Sequence, residues 1–197
     1  MSSIVISGDT SGAVTIAVPA VAGTNTVTLP ALTGTVVVAG QNSAITSGTA
    51  QASTSGTSID FSSIPSWAKS ITVLFNGVST NGSSNCQIQL GTSGGIVTSG
   101  YSGYYFLNAV YRGGFSSAFI VRGLTASNST LYGSAQICLL TGNTWVETGV
   151  VADSTYSQDT TQSGGGITLS SALTTIRITT VNGTDVFDAG NINIIYG

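Results

Sequence analysis

Histidine is absent from the 197 residues of this chain, which holds only four lysines or arginines and seven aspartates or glutamates. Without histidine, Ser-His-Asp and Cys-His nucleophile arrangements are excluded. Charged residues make up 6% of the chain, against about 25% in an ordinary soluble domain. Ser, Thr, Asn, Gln and Gly must therefore cover its surface. Lys69, Arg112, Arg122 and Arg177 lie far apart in sequence. Phosphate-backbone binding needs clustered cations, so nucleic acid is not an expected partner.

The two cysteines, Cys86 and Cys138, are too few for a structural zinc site without histidine. Each sits in an apolar strand-like stretch and is read as a small buried hydrophobe in preference to half of a disulfide. No metal and no cofactor are expected. Mean hydropathy is positive, yet no apolar run reaches the roughly 18 residues of a spanning helix, so membrane insertion is not expected. No charged segment followed by an apolar one opens the chain, so a secretory signal is not expected. So little charge gives free monomers weak mutual repulsion, which suits a protein that works inside an assembly.

Aromatic residues are missing from the first sixty positions: the seven Tyr, six Phe and two Trp all lie beyond them. That asymmetry divides the chain. Residues 1–38 hold an eleven-residue repeat, Thr15–Thr24 aligning with Thr26–Thr35, Pro19 with Pro30 and Gly23 with Gly34. A short unit stacked at fixed period cannot bury its apolar face alone. Within each copy the side chains alternate, Ile16 and Val18, then Val27 and Leu29, pointing one way. This is a strand pattern with proline at the strand end. The favoured cover for that apolar face is identical chains wound about a common axis, with Ile16, Val18, Val27, Leu29, Val36 and Val38 as candidate trimerisation and attachment residues. The C-terminal part of the same chain is the other possible cover. Residues 39–57 are small and polar and read as a linker or extended strap.

Residues 58–197 read as successive strands: 58–62, 70–77, 85–91, 104–111, 116–123, 129–141, 145–153, 166–169, 175–181 and 191–196. Alternation is clearest in Ile71–Phe75, Ile176–Thr179 and Ile192–Tyr196. Asn81-Gly82, Gly94-Gly95, Gly113-Gly114, Gly164-Gly165-Gly166 and Asn182-Gly183 are expected as turns. Pro65–Lys69 is expected to form one irregular or short helical turn. The fold class expected is all-β: an N-terminal short-strand repeat, then an antiparallel β-sandwich or jelly-roll-like domain.

Gly23–Val37 (Gly-Thr-Asn-Thr-Val-Thr-Leu-Pro-Ala-Leu-Thr-Gly-Thr-Val-Val) resembles a segment near the N-termini of tailed-bacteriophage structural proteins, tail fibres above all. Ile64–Ser79 and Ile176–Tyr196 are similar to a C-terminal β-domain of the same class. The resemblance covers both ends of the chain and leaves the middle less constrained. It implies a virion protein, a homotrimer with its N-terminal part seated on the particle and its C-terminal part distal, assembled in the bacterial cytoplasm.

An enzyme is not expected. Asp185 and Asp188 flank Val-Phe before the last strand, and an Asp there bonds nearby backbone amides more readily than it pairs for glycoside cleavage. Asp153 and Asp159 are expected in a solvated loop. Binding is the better reading. Tyr101, Tyr104, Tyr105, Tyr111 and Arg112 gather tyrosine faces and a guanidinium between glycines, suited to stacking on sugar rings and holding a carboxylate or phosphate of a bacterial glycan. The plainer role for these aromatics is packing in strands. Tyr156 in the polar stretch 152–162 is a second candidate.

The function expected is a trimeric phage tail fibre or receptor-binding protein whose partners are its own copies, other virion proteins of the baseplate, tail or capsid, and a bacterial surface glycan. The alternative is a capsid decoration protein, with residues 1–57 laid along the head and the sandwich projecting as a knob. A free-standing lectin is a third and weaker option.

Overall fold

The computed structural model describes residues 3–7, 13–17, 45–108, 111–122, 126–127, 129–154 and 159–197. The chain forms two units, Met1–Val36 and Val37–Gly197. In the first, strand β1 (Ser3–Ser7) pairs antiparallel with β2 (Ala13–Ala17), Ile4 opposite Ile16. β2 covers Thr15, Ile16 and Ala17 of the first repeat copy. The second copy, together with Val18, Val27, Leu29, Val36 and Val38, lies outside the described residues.

Among the described residues the second unit carries fourteen strands: β3 (Thr46–Ser47), β4 (Gln51–Ala52), β5 (Ser58–Ser62), β6 (Ser70–Thr80), β7 (Cys86–Thr92), β8 (Gly95–Ile96), β9 (Ser102–Leu107), β10 (Tyr111–Phe115), β11 (Phe119–Arg122), β12 (Leu131–Thr141), β13 (Thr144–Asp153), β14 (Thr160–Thr168), β15 (Thr175–Thr180) and β16 (Phe187–Tyr196). A nine-stranded sheet runs β10-β9-β14-β13-β12-β6-β16-β3, with β4 also on β16. A five-stranded sheet runs β11-β7-β15-β5, with β8 on β7. Every pairing in this unit is antiparallel. None of the described residues is helical, and Pro65–Lys69 forms a turn closed by the Ala68 amide donating to Pro65 O at 3.0 Å.

Alternation explains how the sheets meet. Ile71, Val73 and Phe75 of β6, Ile137 of β12 and Ile192 and Ile194 of β16 turn inward from the large sheet. Ile59 and Phe61 of β5, Ile88 and Leu90 of β7 and Ile176 and Ile178 of β15 turn inward from the small one. All belong to one apolar cluster, so the second unit is an antiparallel β-sandwich, as the residue pattern predicts. Phe119 of β11 binds the sheets at one end. Its ring stands edge-on to Tyr101 at 4.9 Å and to Phe115 at 5.9 Å, contacts worth about 0.5–1.5 kcal/mol each beyond burial.

Several expectations change. Residues 45–57 of the expected linker belong to the sandwich, because β3 and β4 pair with β16 and the Ser53 hydroxyl donates to Ala189 O at 2.8 Å. The single strand expected over 104–111 is a hairpin, β9 to β10. Its turn includes Asn108 at φ +48°, a left-handed conformation that Asn tolerates. β6 continues past Asn76-Gly77, since Gly77 (φ +66°) lies against Gly190 (φ +87°) in a bulged stretch of the β6–β16 pair.

The largest change concerns Gly113-Gly114 and Gly164-Gly165-Gly166, which are strand interiors and not turns, whereas Gly94-Gly95 lies at the turn between β7 and β8 as expected. A Cβ on Gly165 would come within 2.7 Å of the Phe115 ring, and one on Gly103 within 2.4 Å. A Cβ on Gly113 would meet the Tyr105 ring at 2.6 Å. These glycines are seats for aromatic rings that lie across the inner face. Gly164, by contrast, would place its Cβ 3.8 Å from Glu147 O, an ordinary contact. Gly165→Val should therefore destabilise the domain by about 1–3 kcal/mol through overpacking, while Gly164→Val should leave the thermal midpoint near that of the parent. Thermal denaturation of the two variants side by side checks this. Equal midpoints would contradict the seating of Phe115 on Gly165.

Candidate functional site

Strand parity sorts the aromatic segment into two faces. Tyr105 of β9 opposes Gly113 and Ser163, whereas Tyr104 opposes Gly114 and Gly164. Tyr105 turns inward, 5% exposed, and its hydroxyl accepts from Asn85 Nδ2 at 3.3 Å. Tyr101, 4% exposed, accepts from the Leu90 amide at 2.7 Å and donates to Val97 O at 3.1 Å. Burial pushes its phenol up to about 12. Both were candidates for a binding surface; both take the plainer role of packing the core, because period-two alternation carries them to the inner face. Arg112 and Tyr111 lie on the edge strand in register with Phe106 and Leu107, and their side chains are outside the described set, as is Tyr156.

Tyr104 and Phe106 face the other way, 59% and 41% exposed. With no side chain on either register neighbour, the Tyr104 ring is clear on both sides. It leans toward Gly114, where a Cβ would touch its Cε1 at 3.4 Å, and leaves the Gly164 side bare. A groove of about 340 Å³ opens there, lined by Tyr104, Phe106, Thr148, Val150, Gln162 and the glycine backbone. No described side chain lining it is charged. The sequence signal for it was present in the i, i+2 pair Tyr104 and Phe106, but alternation alone does not say which parity meets water.

The ionisable groups lie mostly inside. Arg122 is fully buried; its Nη2 donates to Asp153 Oδ2 at 3.0 Å and stands 3.0 Å from Asp159 Oδ1, while Nη1 donates to Thr161 Oγ1 at 3.3 Å. Asp153 also accepts from the Thr130 amide at 3.2 Å. The two aspartates expected in a solvated loop are thus buried ion-pair partners that tie β11, β13 and the start of β14 together. Their partner is remote in sequence, which left no local signal. Removing one member of such a set strands a charge in low dielectric. Asp185 accepts from the Ser84 amide at 2.9 Å and from Asn182 Nδ2, and Asp188 from the Ser79 hydroxyl. Asp185 thus bonds a backbone amide from a loop, as expected, whereas Asp188 lies in β16 and bonds a hydroxyl of β6.

The cysteines sit in different sheets and are both free, with Cys86 buried. Burial raises the Cys86 thiol to about 12. Among the described residues no group of three or more His, Cys, Asp or Glu converges on one point.

Glu147 is the unusual acid. It faces the core from β13, 4% exposed, accepts from the Ser163 hydroxyl at 2.7 Å, and its Oε2 has no partner. Desolvation raises its pKa from 4.5 to about 7, against a smaller lowering by Ser163. The next acid on that strand face, Asp153, lies about 20 Å away at the rise of an extended strand. No known protein family matches the chain, and neither curated proteins nor solved structures yield a match.

The raised pKa of Glu147 fixes a sign. The folded state holds this proton more tightly than the unfolded chain, so the contribution is full below the unfolded pKa of about 4.3 and is lost as pH climbs through about 7. The domain should lose about 3 kcal/mol of stability from this group between about pH 5 and pH 8. Glu147→Gln should flatten that slope and raise stability at the upper pH, read by urea denaturation across the range. An unchanged slope would show that Glu147 titrates as a solvated acid.

Proposed function

We propose that this chain is a structural adhesion protein of a tailed-bacteriophage virion, a homotrimeric tail fibre or receptor-binding protein. In this reading it attaches through residues 1–38 and meets the host surface with its sandwich. The observation that carries the reading is the outer face of the nine-stranded sheet. Leu74, Tyr104, Phe106, Tyr132, Val146 and Val150 are each between 36% and 59% exposed, and alternation and register place all six on that one face. Ser134, Thr148 and Gln162 stand between them, and such a mixed apolar and polar face suits recognition by contact.

Two further features agree with it. The chain has too little charge for long-range steering toward a charged partner, so recognition would rest on contact chemistry. The repeat supplies a means of joining copies, and linked copies convert weak single contacts into useful avidity. A fibre and a host surface need that arrangement.

The test is competition for adsorption. Host cells saturated with the purified protein should bind fewer phage, with the loss growing with protein concentration. Undiminished adsorption at saturating protein contradicts the proposal and is the result a capsid decoration protein would give.

A further inference from the structure

The geometry points to the groove over Gly164 as a binding site for a short sugar chain, an inference that rests on the adhesion reading and names its ligand class. Sugar rings present two surfaces. Their axial C–H groups form an apolar patch that stacks on an aromatic ring, and their equatorial hydroxyls need hydrogen-bond partners at the edge of that patch. The groove offers both. Tyr104 and Phe106 stand two residues apart on β9, on the outer face. Gln162 and Thr148, one strand and two strands away, bring an amide and a hydroxyl to the same cavity.

Glycine makes the site possible. Any side chain at position 164 would stand in the row between Tyr104 and Thr148 and occupy the groove floor. The volume of about 340 Å³ falls at the low end of the roughly 300–1,000 Å³ of small-molecule sites, room for a short saccharide and not for a folded partner.

The groove is open to solvent along its length, which suits a ligand that keeps half of its hydroxyls in water. A purely aliphatic ligand would gain little from so open a site. A second copy of the chain would need about 800 Å² from each partner, far beyond the groove alone.

The experiment uses the full chain on an array of neutral and acidic bacterial surface oligosaccharides, with hits titrated by tyrosine fluorescence. The parent should bind a subset of the members weakly. Tyr104→Ala should weaken binding by at least about tenfold, as loss of a central aromatic contact does. Gly164→Val should abolish binding while its thermal midpoint stays near the parent's, since a strand accommodates valine. Binding to no member, or equal binding by Gly164→Val, would overturn the inference. So would a smaller assembly for Gly164→Val than for the parent on gel filtration, which would make the face a contact between copies. The adsorption assay separates the two levels. If the parent and Gly164→Val block adsorption equally, the groove is wrong and the adhesion reading stands; if the parent fails to block, the adhesion reading falls.

Discussion

The fit of aromatic rings onto glycine at the β10-β9-β14 end of the large sheet is the constraint on which the rest of the sandwich depends. Inside, Phe115 lies against Gly103 and Gly165, and Tyr105 against Gly113. Phe115 in turn meets Phe119 of the small sheet, so the seating of one ring connects the two layers. Isolated glycine weakens a strand through lost packing and backbone entropy. Here the ring that lies across it restores the packing and covers the backbone. Parity then carries the consequence outward. The glycines alternating with these seats, Gly114 and Gly164, are the register neighbours of Tyr104. One glycine-rich patch thus closes the core on one side and clears an aromatic groove on the other.

The scarcity of charge has a similar double effect. Few ionised groups remain for the surface because Arg122, Asp153, Asp159 and Glu147 are all buried. Arg122 pairs with both aspartates at the end of the sandwich where β11, β13 and β14 meet. Glu147 has only a hydroxyl for company and answers by taking up a proton more readily. Among the described residues, the outer face of the large sheet carries hydroxyls, amides, aromatics and aliphatic side chains. Under the proposed function, such a surface would recognise its partner by stacking and hydrogen bonding.

Much of this was legible in the residues. Ile71–Phe75, Ile176–Thr179 and Ile192–Tyr196 alternate clearly, and each lies in a strand with alternate residues buried. Ser58–Ser62 is a strand from end to end, as its pattern predicts. Gly164-Gly165-Gly166 and Gly113-Gly114 misled because glycine runs punctuate chains more often than they seat rings, and Phe115 is fifty residues from Gly165. The Arg122 ion pairs were hidden for the same reason: opposite charges far apart in sequence carry no periodic signal. The tyrosines show the middle case. Their spacing separates Tyr104 and Phe106 from Tyr105, yet only the packing of Phe119 and Asn85 against one side tells which set is inside.

The most direct test of the central claim is amide hydrogen exchange of the full chain, resolved at Gly164, Gly165 and Gly166. As the interior of β14, flanked by β13 and β9, all three amides should exchange as slowly as those of Ile71–Phe75 in β6. Exchange as fast as at the Asn182-Gly183 turn would show that the run is a loop. The ring seats and the groove would then both be lost.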